Sequence, residues 1–233
     1  MSEPNRLIGT SVGRKVIMAV SGLLLCLFLL AHLIGNLTLL LRDDGSLTAD
    51  PGAPGAREHF IGVISSYGAI PALLYAAELA LAALFLVHIV TGTSLWLQNR
   101  RARGPQRYRL QRWEGGRSLG SATMPISGLF VILVFLIIHL VQFRFGPQDG
   151  PGELAALVDA RLSWWPWALV YGLALVGLMI HLSHGVQSAF QSLGLRHPRW
   201  TPWLQRAGWA YALLVLAGFG VLPLLFVLQE VTA

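Results

Sequence analysis

Four histidines are the residues of this chain best placed to do chemistry: His32, His88, His139 and His181. Each lies inside a long apolar stretch, where an ionisable ring is costly to place and marks a candidate functional site. Their contexts repeat. Ser21-Gly22-Leu23 precedes His32-Leu33, and Ser127-Gly128-Leu129 precedes His139-Leu140; His88-Ile89-Val90-Thr91-Gly92 matches His181-Leu182-Ser183-His184-Gly185. The unit is a helical pair used twice, each pair supplying two histidines. Matching Gly92 to Gly185 sets His184 opposite Thr91, so the repeat pairs His88 with His181 and leaves His184 as a supporting group.

The elements that position these rings are membrane spans. Of 233 residues, 55% are hydrophobic and 12% charged, with a mean hydropathy of +0.61. Soluble domains hold about 25% charged residues. Five stretches, 16–41, 71–97, 125–143, 164–189 and 207–228, each approach or exceed the ~20 helical residues that cross a hydrocarbon core. The one formal charge within them is Glu78. The first stretch is longer than a signal-peptide core and lacks a small-residue cleavage site, so it is expected to persist in the mature chain. The expectation is an all-α, multi-pass membrane protein forming a single membrane domain over 1–233, with the first four helices bundled and the fifth outside the repeat.

Basic residues collect on the cytoplasmic side of short loops. Thirteen of the 17 lie on one side: Arg6, Arg14 and Lys15 before the first span; Arg100, Arg101, Arg103, Arg107, Arg109, Arg112 and Arg117 after the second; Arg196, Arg199 and Arg206 after the fourth. The other side carries Asp43, Asp44, Asp50, Glu58, Asp149, Glu153 and Asp159. The N-terminus is therefore expected inside and the C-terminus outside, in the inner cell membrane. The net charge of +6 reads as topology rather than as nucleic-acid binding. Trp96, Trp113, Trp164, Trp165, Trp167, Trp200 and Trp203 flank the spans as interfacial anchors.

Depth follows from the 1.5 Å rise per residue. Counted from the inner end of each span, His32 and His139 lie deep, in the outer half, and His88 and His181 lie shallow. Two layers result, ~10 Å apart along the membrane normal. Each contains two histidines from two helices, the requirement for bis-histidine ligation of two stacked b haems: His88 with His181 on the inner side, His32 with His139 on the outer. Gly92 and Gly185, four residues after the inner histidines, share their helical face and leave room for a flat macrocycle. Gly128, eleven residues before His139, falls near that histidine's face. The single Cys26 excludes an iron–sulfur cluster and the C-x-x-C-H attachment of c-type haem, and no dinucleotide-binding glycine motif follows a strand. His59 and His197 fall in loops.

Glu78 lies ten residues before His88, about level with the outer layer. Oxidation of a quinol releases protons, so Glu78 is a candidate proton-handling group for a quinone reacting near the outer haem. The alternative is a neutral glutamic acid bonded to a neighbouring helix.

The chain resembles the single-chain dihaem cytochrome b subunit of succinate dehydrogenase and fumarate reductase, the b558 type that works with menaquinone. The resemblance is carried by Ser21-Gly22 through Ala31-His32-Leu33, by Glu78 with His88-Ile89 and the segment Gln98-Asn99-Arg100-Arg101-Ala102-Arg103-Gly104-Pro105, and most specifically by His181-Leu182-Ser183-His184-Gly185-Val186-Gln187-Ser188-Ala189-Phe190-Gln191-Ser192-Leu193-Gly194. It extends to His197-Pro198-Arg199-Trp200-Thr201-Pro202 and covers nearly the whole chain. It implies a respiratory electron-transfer subunit carrying two b haems, bound to a cytoplasmic iron–sulfur subunit and, through it, to a flavoprotein subunit that handles succinate or fumarate; menaquinone is the exchangeable partner in the bilayer. The arginine-rich inner rim is expected to dock the iron–sulfur subunit. Two other readings stay open: a dihaem anchor of a formate dehydrogenase or hydrogenase, and a transporter or structural anchor without cofactors.

Overall fold

The computed structural model describes residues 10–42, 44–51, 55–68, 70–103, 119–147 and 151–232. Arg6, Asp43, Arg107, Arg109, Arg112, Trp113, Arg117 and Asp149 lie outside them. The described residues form helices joined by turns, with one isolated bridge between Leu41 and Leu47. Five helices are long and apolar enough to cross a membrane: α1 (Ser11–Leu37), α3 (Pro71–Arg103), α4 (Leu119–Arg144), α6 (Trp165–Ser192) and α7 (Thr201–Thr232). Two shorter helices, α2 (Ala56–Gly68) and α5 (Pro151–Leu162), connect α1 to α3 and α4 to α6. His59 therefore sits on a helix; His197 lies in the turn before α7, where its carbonyl accepts from the Trp200 and Thr201 amides.

Local chemistry sets the helix ends. Thr10 caps α1, its hydroxyl accepting from the Gly13 amide at 3.0 Å. α3 and α5 begin on proline and α6 carries Pro166 in its first turn, where no intrahelical N–H is needed. Gly194, at φ +77°, ends α6 in the left-handed conformation, and the Leu195 amide reaches back to the Phe190 carbonyl at 3.0 Å. α3 has 33 residues, about 50 Å, so its last turn, with Arg100 and Arg101, projects beyond a ~30 Å hydrocarbon core.

The third span is the irregular one. Pro125 has no N–H to give its preceding turn, and Ile126–Ile132 follows as a π-helix before the α-helical winding resumes at Leu133. The repeat supplies the reason. Ser21 precedes His32 by eleven residues, whereas Ser127 precedes His139 by twelve. At about 100° per residue the extra residue would swing His139 a third of a turn away; a π segment absorbs such an insertion. A second π turn, Leu140–Arg144, closes the span.

α1 and α6 lie side by side at the centre. α3 packs on α1, α4 packs on α6, and α7 runs along α6 while also touching α1. Outside the repeat in sequence, the fifth span is thus within the packing: Leu33 would meet a β-carbon at Gly218 within 2.8 Å, and the Tyr211 hydroxyl donates to the Cys26 carbonyl at 2.7 Å. α4 approaches α6 as closely, since a β-carbon at Gly120 would lie 2.7 Å from His184 Cβ. One buried cluster joins Leu39, Phe60, Val158, Leu162, Leu222 and Phe226 at the end of the bundle that carries the two short connecting helices, where α2 and α5 pack on each other. The two helices least covered by protein are α3 and α4. No residue of α3's most apolar stretch is buried, and 6% of α4's are.

Candidate haem-binding cavity

Between α1, α3, α4 and α6 runs a cavity of about 2630 Å³, and all four predicted histidines line it. They form two facing pairs. The rings of His88 and His181 are 6.4 Å apart, centroid to centroid, and those of His32 and His139 are 5.9 Å apart. Imidazoles bound to one metal at about 2 Å on opposite sides place their centroids about 6 Å apart. The pairing matches the expected layers, with His181 rather than His184 facing His88; His184 lines the same cavity near Gly120.

The Ser-Gly dipeptides of α1 and α4 are spent on the inner pair. Ser21 Oγ lies 3.1 Å from His88 Nδ1, and Ser127 Oγ lies 3.3 Å from His181 Nδ1. A β-carbon at Gly22 would stand 3.2 Å from His88 Cε1, and one at Gly128 would stand 3.3 Å from His181 Cε1. Each serine thus bonds the ring while the glycine beside it makes space for that ring. Gly128 and His139 both face the cavity, as their spacing leads one to expect, and the eleven residues between them set the glycine at the depth of the inner pair, beside His181. Gly92 differs in part. It lines the cavity, but a β-carbon there would meet Met18 Cε at 2.9 Å, so its smallness leaves room for the Met18 side chain of α1; Gly185 has open space beside it.

The outer pair sits among aromatic rings. Phe28 stacks on His32 at 5.5 Å and 13°, and Phe219 lies 5.5 Å from the same ring. Phe135 lies 5.7 Å and Phe143 5.2 Å from His139. Phe28 and Phe135 occupy matching places, four residues before their histidines. The Tyr171 hydroxyl donates to Gln142 Oε1 at 2.9 Å, which leaves its oxygen to accept from His139 Nδ1 at 3.3 Å. Gln142 is buried, and its Nε2 has no hydrogen-bond partner. His32 has the Asn36 amide at 3.5 Å from both ring nitrogens, with the same amide donating to the His32 carbonyl at 2.8 Å.

Glu78 meets a basic partner on a neighbouring helix. Arg144, at the end of α4, grips it with both arms: Nε donates to Oε1 at 2.7 Å and a terminal nitrogen donates to Oε2 at 2.9 Å. Both carboxylate oxygens are acceptors, so the neutral acid bonded to a neighbouring helix is replaced by an ion pair across α3 and α4. The pair lines the cavity mouth with side chains 46% (Arg144) and 35% (Glu78) exposed. A signal for it existed, since Arg144 is a basic residue on the acidic side. In the turn between α1 and α2, Asp44 is held below the usual carboxylate range by hydrogen bonds from the Ser46 side chain and amide.

These residues fit haem. The donor set is four neutral-capable imidazoles in two facing pairs. The walls are apolar, and the volume exceeds twice the roughly 1000 Å³ upper end for one small-molecule site. A β-carbon at Gly22 or Gly128 would crowd a histidine ring. Comparison with protein-family models, with curated proteins and with solved structures finds no match for this chain.

Proposed function

We propose that this chain is the membrane-anchoring cytochrome b subunit of a succinate:quinone oxidoreductase, a four-helix dihaem bundle with α7 braced against it. His88 and His181 hold the inner b haem, and His32 and His139 hold the outer. The observation that carries the reading is the convergence of four histidines from four helices into two facing pairs inside one apolar cavity. The haems, when bound, supply reversible one-electron redox chemistry. Everything else falls to the chain. The imidazoles hold the irons, Ser21, Ser127 and Tyr171 orient the rings, and the phenylalanines keep water from the outer site. Glu78 can take a proton at Oε1 or Oε2 at the cost of one arm of its Arg144 pair, which suits it to proton handling for menaquinone on the outer side.

The choice of complex rests on the sequence resemblance, above all on the string from His181 to Gly194. Succinate or fumarate chemistry belongs to a separate flavoprotein, reached through an iron–sulfur subunit docked on the inner rim. Purification of the native chain tests both parts. The expected result is a b-type optical spectrum together with co-purifying iron–sulfur and flavoprotein subunits that oxidise succinate. A preparation without the haem spectrum overturns the redox reading; a haem-loaded chain that carries a formate- or hydrogen-oxidising partner overturns the choice of complex.

A further inference from the structure

We propose that Ser21 and Ser127 are a matched pair of positioning residues that set the reduction potential of the inner haem, one serine acting on each axial histidine. The inference rests on the haem reading above. Each serine hydroxyl has its own acceptor inside its helix: Ser21 donates to the Met18 carbonyl at 3.2 Å, and Ser127 to the Thr123 carbonyl at 3.1 Å and the Met124 carbonyl at 3.3 Å. With its proton committed there, the serine oxygen presents a lone pair to the histidine, so Nδ1 of His88 and of His181 carries the hydrogen. The tautomer follows: Nε2 is bare on both rings, and it is Nε2 that must face the iron.

The same bond does more than orient. An acceptor at Nδ1 withdraws its proton slightly and raises the basicity of the ligating nitrogen, which favours ferric over ferrous iron and lowers the potential. Both serines are buried, so water does not substitute for them. The arrangement is built twice, once in each helical pair, on opposite faces of one iron.

The test is a redox titration of the full chain, resolved optically into two haem components, for Ser21→Ala, Ser127→Ala, the double variant and the Ser→Thr changes. Both alanine variants should keep two low-spin haems, and each should raise the potential of the inner component alone. The double variant should rise by about the sum, and threonine, which keeps the hydroxyl, should restore the native value. If an alanine variant drops the inner haem while its threonine counterpart retains it at the native potential, the hydroxyl is required and the inference stands. Unchanged potentials in the alanine variants overturn it, as does loss of the inner haem in alanine and threonine variants alike, which makes the role one of packing. Absence of haem from the native chain defeats the haem reading itself and is distinct from all of these.

Discussion

In the inner layer each imidazole leans on a serine from the other helix of its own pair, and the two halves of the chain do this identically. In the outer layer the rings are held mainly by stacking, His139 has a tyrosine at Nδ1, and His32 has an amide equidistant from both ring nitrogens. The difference lies in one repeat position. Ten residues before the inner histidine stands Tyr171 in the second half and Glu78 in the first. Where the second half spends that position on clamping His139, the first spends it on an ion pair at the cavity mouth. The internal repeat thus keeps its symmetry around the His88–His181 pair and loses it around the His32–His139 pair and the Glu78–Arg144 ion pair.

The comparison is broken most completely by removing a ligand. His88→Ala or His181→Ala should cost the chain one of two haems, halving the haem-to-protein ratio while the outer component persists. Next come the glycines. Gly22→Ala and Gly128→Ala push a methyl against a ligand ring at 3.2 and 3.3 Å, and overpacking of this kind costs about 1–3 kcal/mol. Inner haem should therefore be lost at lower temperature or milder detergent stress than in the native chain, with the outer haem unmoved; equal loss of both would show that the layers are not independent.

Tyr171→Phe should act on the other layer. It removes one acceptor, worth on the order of 1 kcal/mol, so the outer haem's potential should rise by on the order of 40 mV for a one-electron couple, with the inner potential constant. A shift of the inner component instead would reverse the assignment of layers. The smallest structural effect belongs to Glu78→Gln. A partly exposed ion pair contributes about 0–1 kcal/mol, so thermal stability and both haem spectra should stay native, while quinone-linked turnover falls. Unchanged turnover would remove Glu78 from proton handling and leave the pair as a strut between α3 and α4.

Much of this was legible in residue spacing, because a helix converts spacing into depth and face. The four histidines, their two layers and the choice of His181 over His184 come from one repeat and one rise per residue. What spacing did not give is contact between helices. Nothing in α1 alone says that Ser21 and Gly22 serve His88, and the Ser-to-His interval in α4 carries an extra residue whose accommodation by a π-helix depends on how α4 must meet α6. The Glu78–Arg144 pair escaped for a similar reason: two residues 66 positions apart meet only when α3 and α4 frame the same cavity. α2 and α5 were hidden because short helices between spans carry weak apolar patterns and are held by packing on each other.

The central claim is that two irons are bound by two specific histidine pairs, and spectrally resolved redox titration of the four single histidine-to-alanine chains tests it most directly. Two components are expected in the native chain, with His88→Ala and His181→Ala erasing or converting one of them and His32→Ala and His139→Ala the other. A native chain with a single component, or a grouping in which His88→Ala and His32→Ala affect the same component, would contradict the account.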